Sequence, residues 1–246
     1  MCEMCGDSQH VSQLSRRDFL RTGALAVLAP WAVGNALAAD PPKPGAPPPP
    51  NAIAPAEALK RLMDGNARYA ANTPAERDFS AGRAARAQGQ YPIAAILSCA
   101  DARLAPEFAF DQGPGELFVA RVAGNILTRD LLASIEYGVQ FLGVPLVMVL
   151  GHSGCGAVDA AIKVLQTKAV LPGHLPELIT AIKPAVIVAE KTKSGSLLDN
   201  AIAENVRRQV AQLKKSLPVV QKLYEGKKID IVGAVYDIPT GKVALV

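Results

Sequence analysis

Apolar positions fall along the chain in two rhythms. From Pro55, Ala58, Leu59, Leu62, Met63 and Tyr69 recur at roughly helical spacing, behind a proline suited to a first turn. Continuous apolar runs follow: Tyr91–Ser98 ("YPIAAILS"), 115–124 ("GELFVARVAG") and 144–151 ("VPLVMVLG"). These read as buried strands. Helical stripes lie between and after them. One comprises Leu131, Leu132, Ile135, Val139 and Leu142 within 129–142, and another is a small-residue stretch over 154–167. A third holds Ile202, Val206, Val210, Leu213 and Leu217 within 197–217. The segment 171–196 fits a helix and a loop, and two strands in 229–246, joined at Pro239-Thr240-Gly241, close the chain. Wholly apolar strands separated by helices predict an α/β fold: a mainly parallel central β-sheet flanked by helices, with a C-terminal strand pair.

Sheets of this kind place ligand sites beyond the carboxyl ends of their strands. Two polar stretches fall there: Ser98-Cys99-Ala100-Asp101-Ala102-Arg103 and Gly151-His152-Ser153-Gly154-Cys155-Gly156. The chain has three histidines and four cysteines in 246 residues, and it sets His152 and Cys155 three apart at a strand end.

The N-terminal residues follow a different logic. Ser15-Arg16-Arg17-Asp18-Phe19-Leu20-Arg21 is a twin-arginine pattern, and the apolar run Gly23–Val33 is too short to span a bilayer. Ala36-Leu37-Ala38 is a small-x-small cleavage site. Residues 1–38 are therefore expected to be a twin-arginine export signal, recognised by the twin-arginine machinery in transit. The mature protein would begin at Ala39 and be periplasmic or otherwise exported; an uncleaved membrane anchor is the alternative. Seven prolines between Asp40 and Ala52 favour an extended linker, 39–53, ahead of a domain over 54–246. The net charge of +4 is scattered and aromatics make up 5%, which argues against a nucleic-acid surface.

Cleavage would remove Cys2, Cys5 and His10, leaving Cys99 and Cys155. Two cysteines in an exported protein often pair, giving a non-enzymatic scaffold with a Cys99–Cys155 disulfide. That reading leaves His152, Asp101 and Arg103 without a role. A Zn2+ reading uses them all. Cys99, His152 and Cys155 offer two sulfurs and one nitrogen and leave a fourth tetrahedral position open, as in catalytic zinc sites. Cys155 would also open a helix whose positive end favours the thiolate. Asp101 would either ligate the metal and close the site, or be held off it by the fork of Arg103 and accept a hydrogen bond from bound water. His174, in a Gly-His-Leu-Pro stretch, reads as a surface residue.

These residues resemble the β-class carbonic anhydrases over about Ala56–Val246. The resemblance rests on "GNARY" (Gly65–Tyr69), "SCADAR" (Ser98–Arg103), "DQGPGELFVARVAGN" (Asp111–Asn125), "ASIEYGVQFLGVPLVMVLGHSGCGAV" (Ala133–Val158) and the terminal strands. It implies reversible hydration of carbon dioxide to bicarbonate and a proton, by a zinc-bound hydroxide oriented by the Asp101/Arg103 dyad. Cys99, His152 and Cys155 would be the zinc ligands and Asp101 a conditional fourth. A homodimer or homotetramer clasped by N-terminal helices is implied as well. Gln112 falls in a segment that lines the family's substrate pocket, one position off the plant-like glutamine. Hydrolysis of carbon disulfide or carbonyl sulfide on the same site is an alternative, and a closed, non-catalytic zinc site is another.

Overall fold

The computed structural model describes residues 48–246, so the export-signal reading and most of the linker lie outside the described residues. The elements run α1 (Pro55–Ala70), α2 (Arg83–Arg86), β1 (Ala94–Ser98), α3 (Pro106–Ala109), β2 (Leu117–Arg121), a 3-10 turn (Ala123–Asn125) and α4 (Arg129–Phe141). Then follow β3 (Leu146–His152), α5 (Gly156–Thr167), α6 (Leu175–Ala189), α7 (Leu197–Lys214), α8 (Val220–Glu225), β4 (Asp230–Tyr236) and β5 (Val243–Leu245). No described helix is long and apolar enough to cross a membrane.

One five-stranded sheet has the order β2-β1-β3-β4-β5. The first four strands are parallel, and β5 returns antiparallel to β4. Every residue of β1 and β3 is buried, as expected of strands covered on both faces. Alternate residues divide between two layers. Ala94, Ile96, Leu146, Met148 and Leu150 pack with Leu62 of α1 and Phe110 beyond α3. Ala95, Leu97, Val147 and Val149 pack with Ile135 and Val139 of α4, and with Val206 and Leu213 of α7. A third apolar cluster joins α5, α6 and α7 and contains Cys99 and Cys155.

Strand order positions the site. From β1 the chain moves to one side, to β2. From β3, the neighbour of β1 on the other side, it continues away toward β4. The carboxyl ends of β1 and β3 thus flank a topological switch point, where connections diverge and leave a crevice.

Residues 171–196 hold a helix and loop as expected: the fifteen-residue α6, in which Pro184 is accommodated although it removes a hydrogen bond of the helical ladder. Several other elements differ from the expectation. The helix expected to run to 217 stops at Lys214, ahead of Pro218, and the short α8 follows. The strand after β1 is half-buried rather than covered, because β2 lies at the sheet edge. Asn51, assigned to the linker by composition, is buried and donates to the carbonyls of Pro92 and Leu142 at 3.1 and 2.7 Å.

Candidate metal centre

The site assembles from two strand ends. Cys99 follows β1 directly, His152 is the last residue of β3, and Cys155 is the N-cap of α5. Between them Gly154 turns the chain at φ +63°, a left-handed conformation that favours glycine. A Cβ at Gly154 or Gly156 would meet no protein atom within 4 Å, so the turn at Gly154, rather than crowding by protein, calls for glycine there.

Cys99, His152 and Cys155 are all buried, and one ligand atom from each lies within 4.8 Å of the others. Both cysteines are free thiols. His152 Nδ1 lies 3.0 Å from the Ser153 carbonyl, while Nε2 is buried with no hydrogen-bond partner. A buried polar atom left unpaired is costly, and an imidazole oriented through its other nitrogen is the usual form of a metal-binding histidine. Two soft sulfurs and a nitrogen suit zinc. The residues present therefore fit such an ion.

The electrostatics separate the two thiols, and Cys155 departs from the thiolate expected at a helix N-terminus. Cys155 hydrogen-bonds the Cys99 thiol and holds it well below the ordinary range; His152 and the backbone at Asp101 and Gly124 assist, against burial. Cys155 is the partner that keeps its proton, pushed up by Cys99 and by burial. Burial works against the His152 cation, but the Cys99 sulfur and the Ser153 carbonyl outweigh it and raise its pKa. A metal bound here would replace these protons.

Asp101 and Arg103 meet as a fork. Arg103 Nε donates to Asp101 Oδ1 at 2.9 Å and Nη2 to Oδ2 at 2.7 Å, while the Arg103 backbone N–H also donates to Oδ1. Arg103 Nη2 further donates to the Gly154 carbonyl at 3.3 Å, tying the two site loops together. Arg103 holds the Asp101 carboxyl well below the usual carboxylate range. Asp101 Oδ2 lies 3.7 Å from His152 Nε2, at the edge of the ligand cluster.

Two other residues singled out by sequence fall elsewhere. His174 is the exposed N-cap of α6. Gln112 donates to the carbonyls of Phe110 and Asp111 and lines a cleft of about 440 Å³ with Tyr69, Phe108 and Asp111; it has no hydrogen bond to the ligand cluster.

Arg121 went unnoticed in the sequence. It closes β2 opposite Ser98, donating through Nε to the Cys99 carbonyl at 2.9 Å and through Nη2 to those of Asp101 and Leu104, both at 2.7 Å. One guanidinium thus holds the whole loop that carries Cys99, Asp101 and Arg103. The available signal was an arginine ending an otherwise apolar strand.

A buried Cys-His-Cys group with an unpartnered imidazole nitrogen, at the switch point of an α/β sheet, defines an α/β protein with a candidate metal centre. Known proteins agree. A family model described as carbonic anhydrase matches residues 94–243. Carbonic anhydrase of Mycolicibacterium smegmatis is 39% identical over 193 residues, covering 78% of this chain and 93% of that protein. Carbonic anhydrase 2 of Mycobacterium tuberculosis is 36% identical over 192 residues, covering 78% of this chain and 92% of that protein. Among solved structures, the Coccomyxa β-carbonic anhydrase in complex with acetazolamide matches with a TM-score of 0.60 at 28% identity, over 76% of this chain and 86% of that one. The chain belongs to the β-class carbonic anhydrases, and it is an enzyme of that family.

Proposed function

We propose that the chain interconverts carbon dioxide and bicarbonate with one zinc ion held by Cys99, His152 and Cys155. The observation that carries this reading is the buried, unpartnered Nε2 of His152 beside two free thiols. Bound there, zinc would act as a Lewis acid and bring the pKa of a coordinated water from 15.7 toward about 7.

The protein's own part follows from the fork. Arg103 occupies both oxygens of Asp101 and keeps the carboxylate ionised at the edge of the cluster. From there Asp101 accepts a proton of the attacking water in a hydrogen bond and aligns its oxygen on the carbon of the substrate. The same bonds favour the catalytic arrangement over the closed one, in which Asp101 would leave Arg103 and ligate the metal. Arg121 keeps the loop beneath them in place.

Two thiolates donate more charge than two imidazoles, so activity should rise with pH above neutrality. Stopped-flow carbon dioxide hydration at alkaline pH, with zinc content measured in parallel, tests the reading. Chelator-sensitive turnover supports it. A zinc-loaded protein that leaves carbon dioxide untouched but hydrolyses carbon disulfide or carbonyl sulfide would replace it. A rate flat from acid to alkaline pH would refute the proposed nucleophile.

Export belongs to the same proposal, supported by the twin-arginine pattern and by Ala36-Leu37-Ala38. The check is the N-terminal residue of protein recovered outside the cytoplasm, expected to be Ala39. Self-association into two or four chains is supported by exposed apolar side chains beside the Gln112 cleft: Phe79 is 56% and Phe108 67% exposed.

A further inference from the structure

Helix α7 covers β3 and β4 with an apolar face that includes Ile202, Val206 and Leu213. Two amides interrupt it. Asn205 is 1% exposed and Gln209 5%, one turn apart. Burying amides is unfavourable unless each polar atom is paired. These are paired with each other and with one segment. Gln209 Nε2 donates to Asn205 Oδ1 at 3.2 Å. Asn205 Nδ2 donates to the Gly124 carbonyl at 2.8 Å, and Gln209 Oε1 accepts the Leu127 backbone N–H at 2.9 Å. The segment 124–127 is gripped at both ends.

That segment donates one hydrogen bond to the metal centre, and its Ile126 packs in the apolar cluster of Cys99 and Cys155. The Gly124 backbone N–H donates to Cys99 Sγ at 3.3 Å. Gly124 stands at φ +70°, and a Cβ there would lie 2.7 Å from Ile182 Cδ1, so this direction of the N–H calls for glycine. Asn125, inside the same segment, is 2% exposed at φ +45°, with its Nδ2 unpartnered. The turn itself supplies one backbone bond, Asn125 N–H to the Val122 carbonyl at 3.0 Å, and α7 adds the two side-chain bonds at Gly124 and Leu127.

We infer that Asn205 and Gln209 are positioning residues of the metal centre: through the Gly124 backbone they hold an N–H against the Cys99 sulfur. The inference rests on the zinc reading above. An N–H donated to a thiolate withdraws charge from the sulfur and fixes its direction. It therefore sets both how strongly the sulfur donates to a metal and how long the metal stays. Partners one step behind a ligand commonly change metal affinity by about 10- to 100-fold.

The test uses the full chain, loaded with zinc for release into excess chelator and with cobalt(II) for its sulfur-to-metal charge-transfer band. Asn205→Leu keeps the branched shape and removes both hydrogen bonds of Asn205. Gln209→Met cuts the links to Leu127 and Asn205 but leaves Asn205 on Gly124, and it carries the test if Asn205→Leu does not fold. Leu213→Ala is the control, a fully buried residue of the same helix, packed in the cluster on the far side of the sheet from α1. Zinc release is expected to quicken about 10- to 100-fold in Asn205→Leu and less in Gln209→Met. The cobalt band is expected to move to longer wavelength in both, and Leu213→Ala to leave band and release rate unchanged. A band at the wild-type wavelength, with release no faster than in Leu213→Ala, overturns the inference and leaves the zinc reading standing. A wild-type chain with no sulfur-to-cobalt band overturns both.

Discussion

Two buried polar clusters in this molecule solve the same problem in opposite ways. The first surrounds Asp111, whose side chain is 1% exposed. Arg68, near the end of α1, and Arg77, in the loop after it, donate to its two oxygens, and the Ala75 backbone N–H adds a third bond. Burial opposes ionisation, but the Arg77 and Arg68 guanidiniums overcome it and leave the carboxyl below its usual range. Both oxygens have partners within the chain. The second cluster, Cys99, His152 and Cys155, is as deeply buried but leaves His152 Nε2 without a partner. A buried polar group satisfied internally closes on itself and supports the fold. One that leaves an imidazole nitrogen over beside two thiols can take a ligand.

The largest effect should come from the open cluster. Cys155→Ala should lower zinc from roughly one per chain to traces and carbon dioxide hydration to the buffer background, because three protein ligands are the minimum of a catalytic site. Retained zinc and activity would break the comparison. Asp101→Asn should keep its zinc and lose about 10²- to 10⁴-fold in kcat, since the amide holds no charge for Arg103 and accepts a proton poorly. Metal analysis beside stopped-flow rates separates these two variants.

The closed cluster should behave the other way. Asp111→Asn should lower stability by about 3 kcal/mol in urea unfolding while leaving zinc content unchanged; the low end of the range applies because Arg68 and Arg77 are 41% and 24% exposed and rehydrate. Its pH dependence sharpens the point. A carboxyl whose folded pKa is depressed contributes stability above its unfolded value, near about 3.9, and that contribution is lost as pH falls through the folded value. Below about pH 4 the wild type should therefore lose stability more steeply than Asp111→Asn, as acid-unfolding curves would show. The smallest effect should be at Arg121. Lysine supplies one ammonium where a planar fork now spans three carbonyls, so Arg121→Lys should retain zinc and lose about tenfold in kcat.

The open cluster was legible in the sequence and the closed one was not. Cysteine and histidine are rare here, so Cys99, His152 and Cys155 stand out by type and by position after apolar runs. Asp101 and Arg103 stand out by closeness to a candidate ligand. Arginines and aspartates are common, and nothing local marks Asp111 as the one held by residues 43 and 34 positions away. Arg121 and Asn205 are hidden for the same reason: their partners lie 17 to 22 and 81 residues away. A helix within 171–196 was legible, but its bounds were not; packing of Ile179, Ile182 and Val186 overrides the cost of Pro184 inside it.

The sequence by itself determined the layered α/β architecture and the candidate ligand set, because both follow from which residues stand at which spacing. Uninterrupted apolar runs require cover on both faces, and two sulfurs with one imidazole are a donor set for a soft divalent ion. Only the tertiary structure decided how the ligands are held. The Arg103 fork, the Arg121 clamp on three carbonyls and the α7 amides behind Gly124 are directional bonds between distant segments. Burial pattern records that a residue is inside; the direction of a hydrogen bond exists only once the strand order has brought its two ends together.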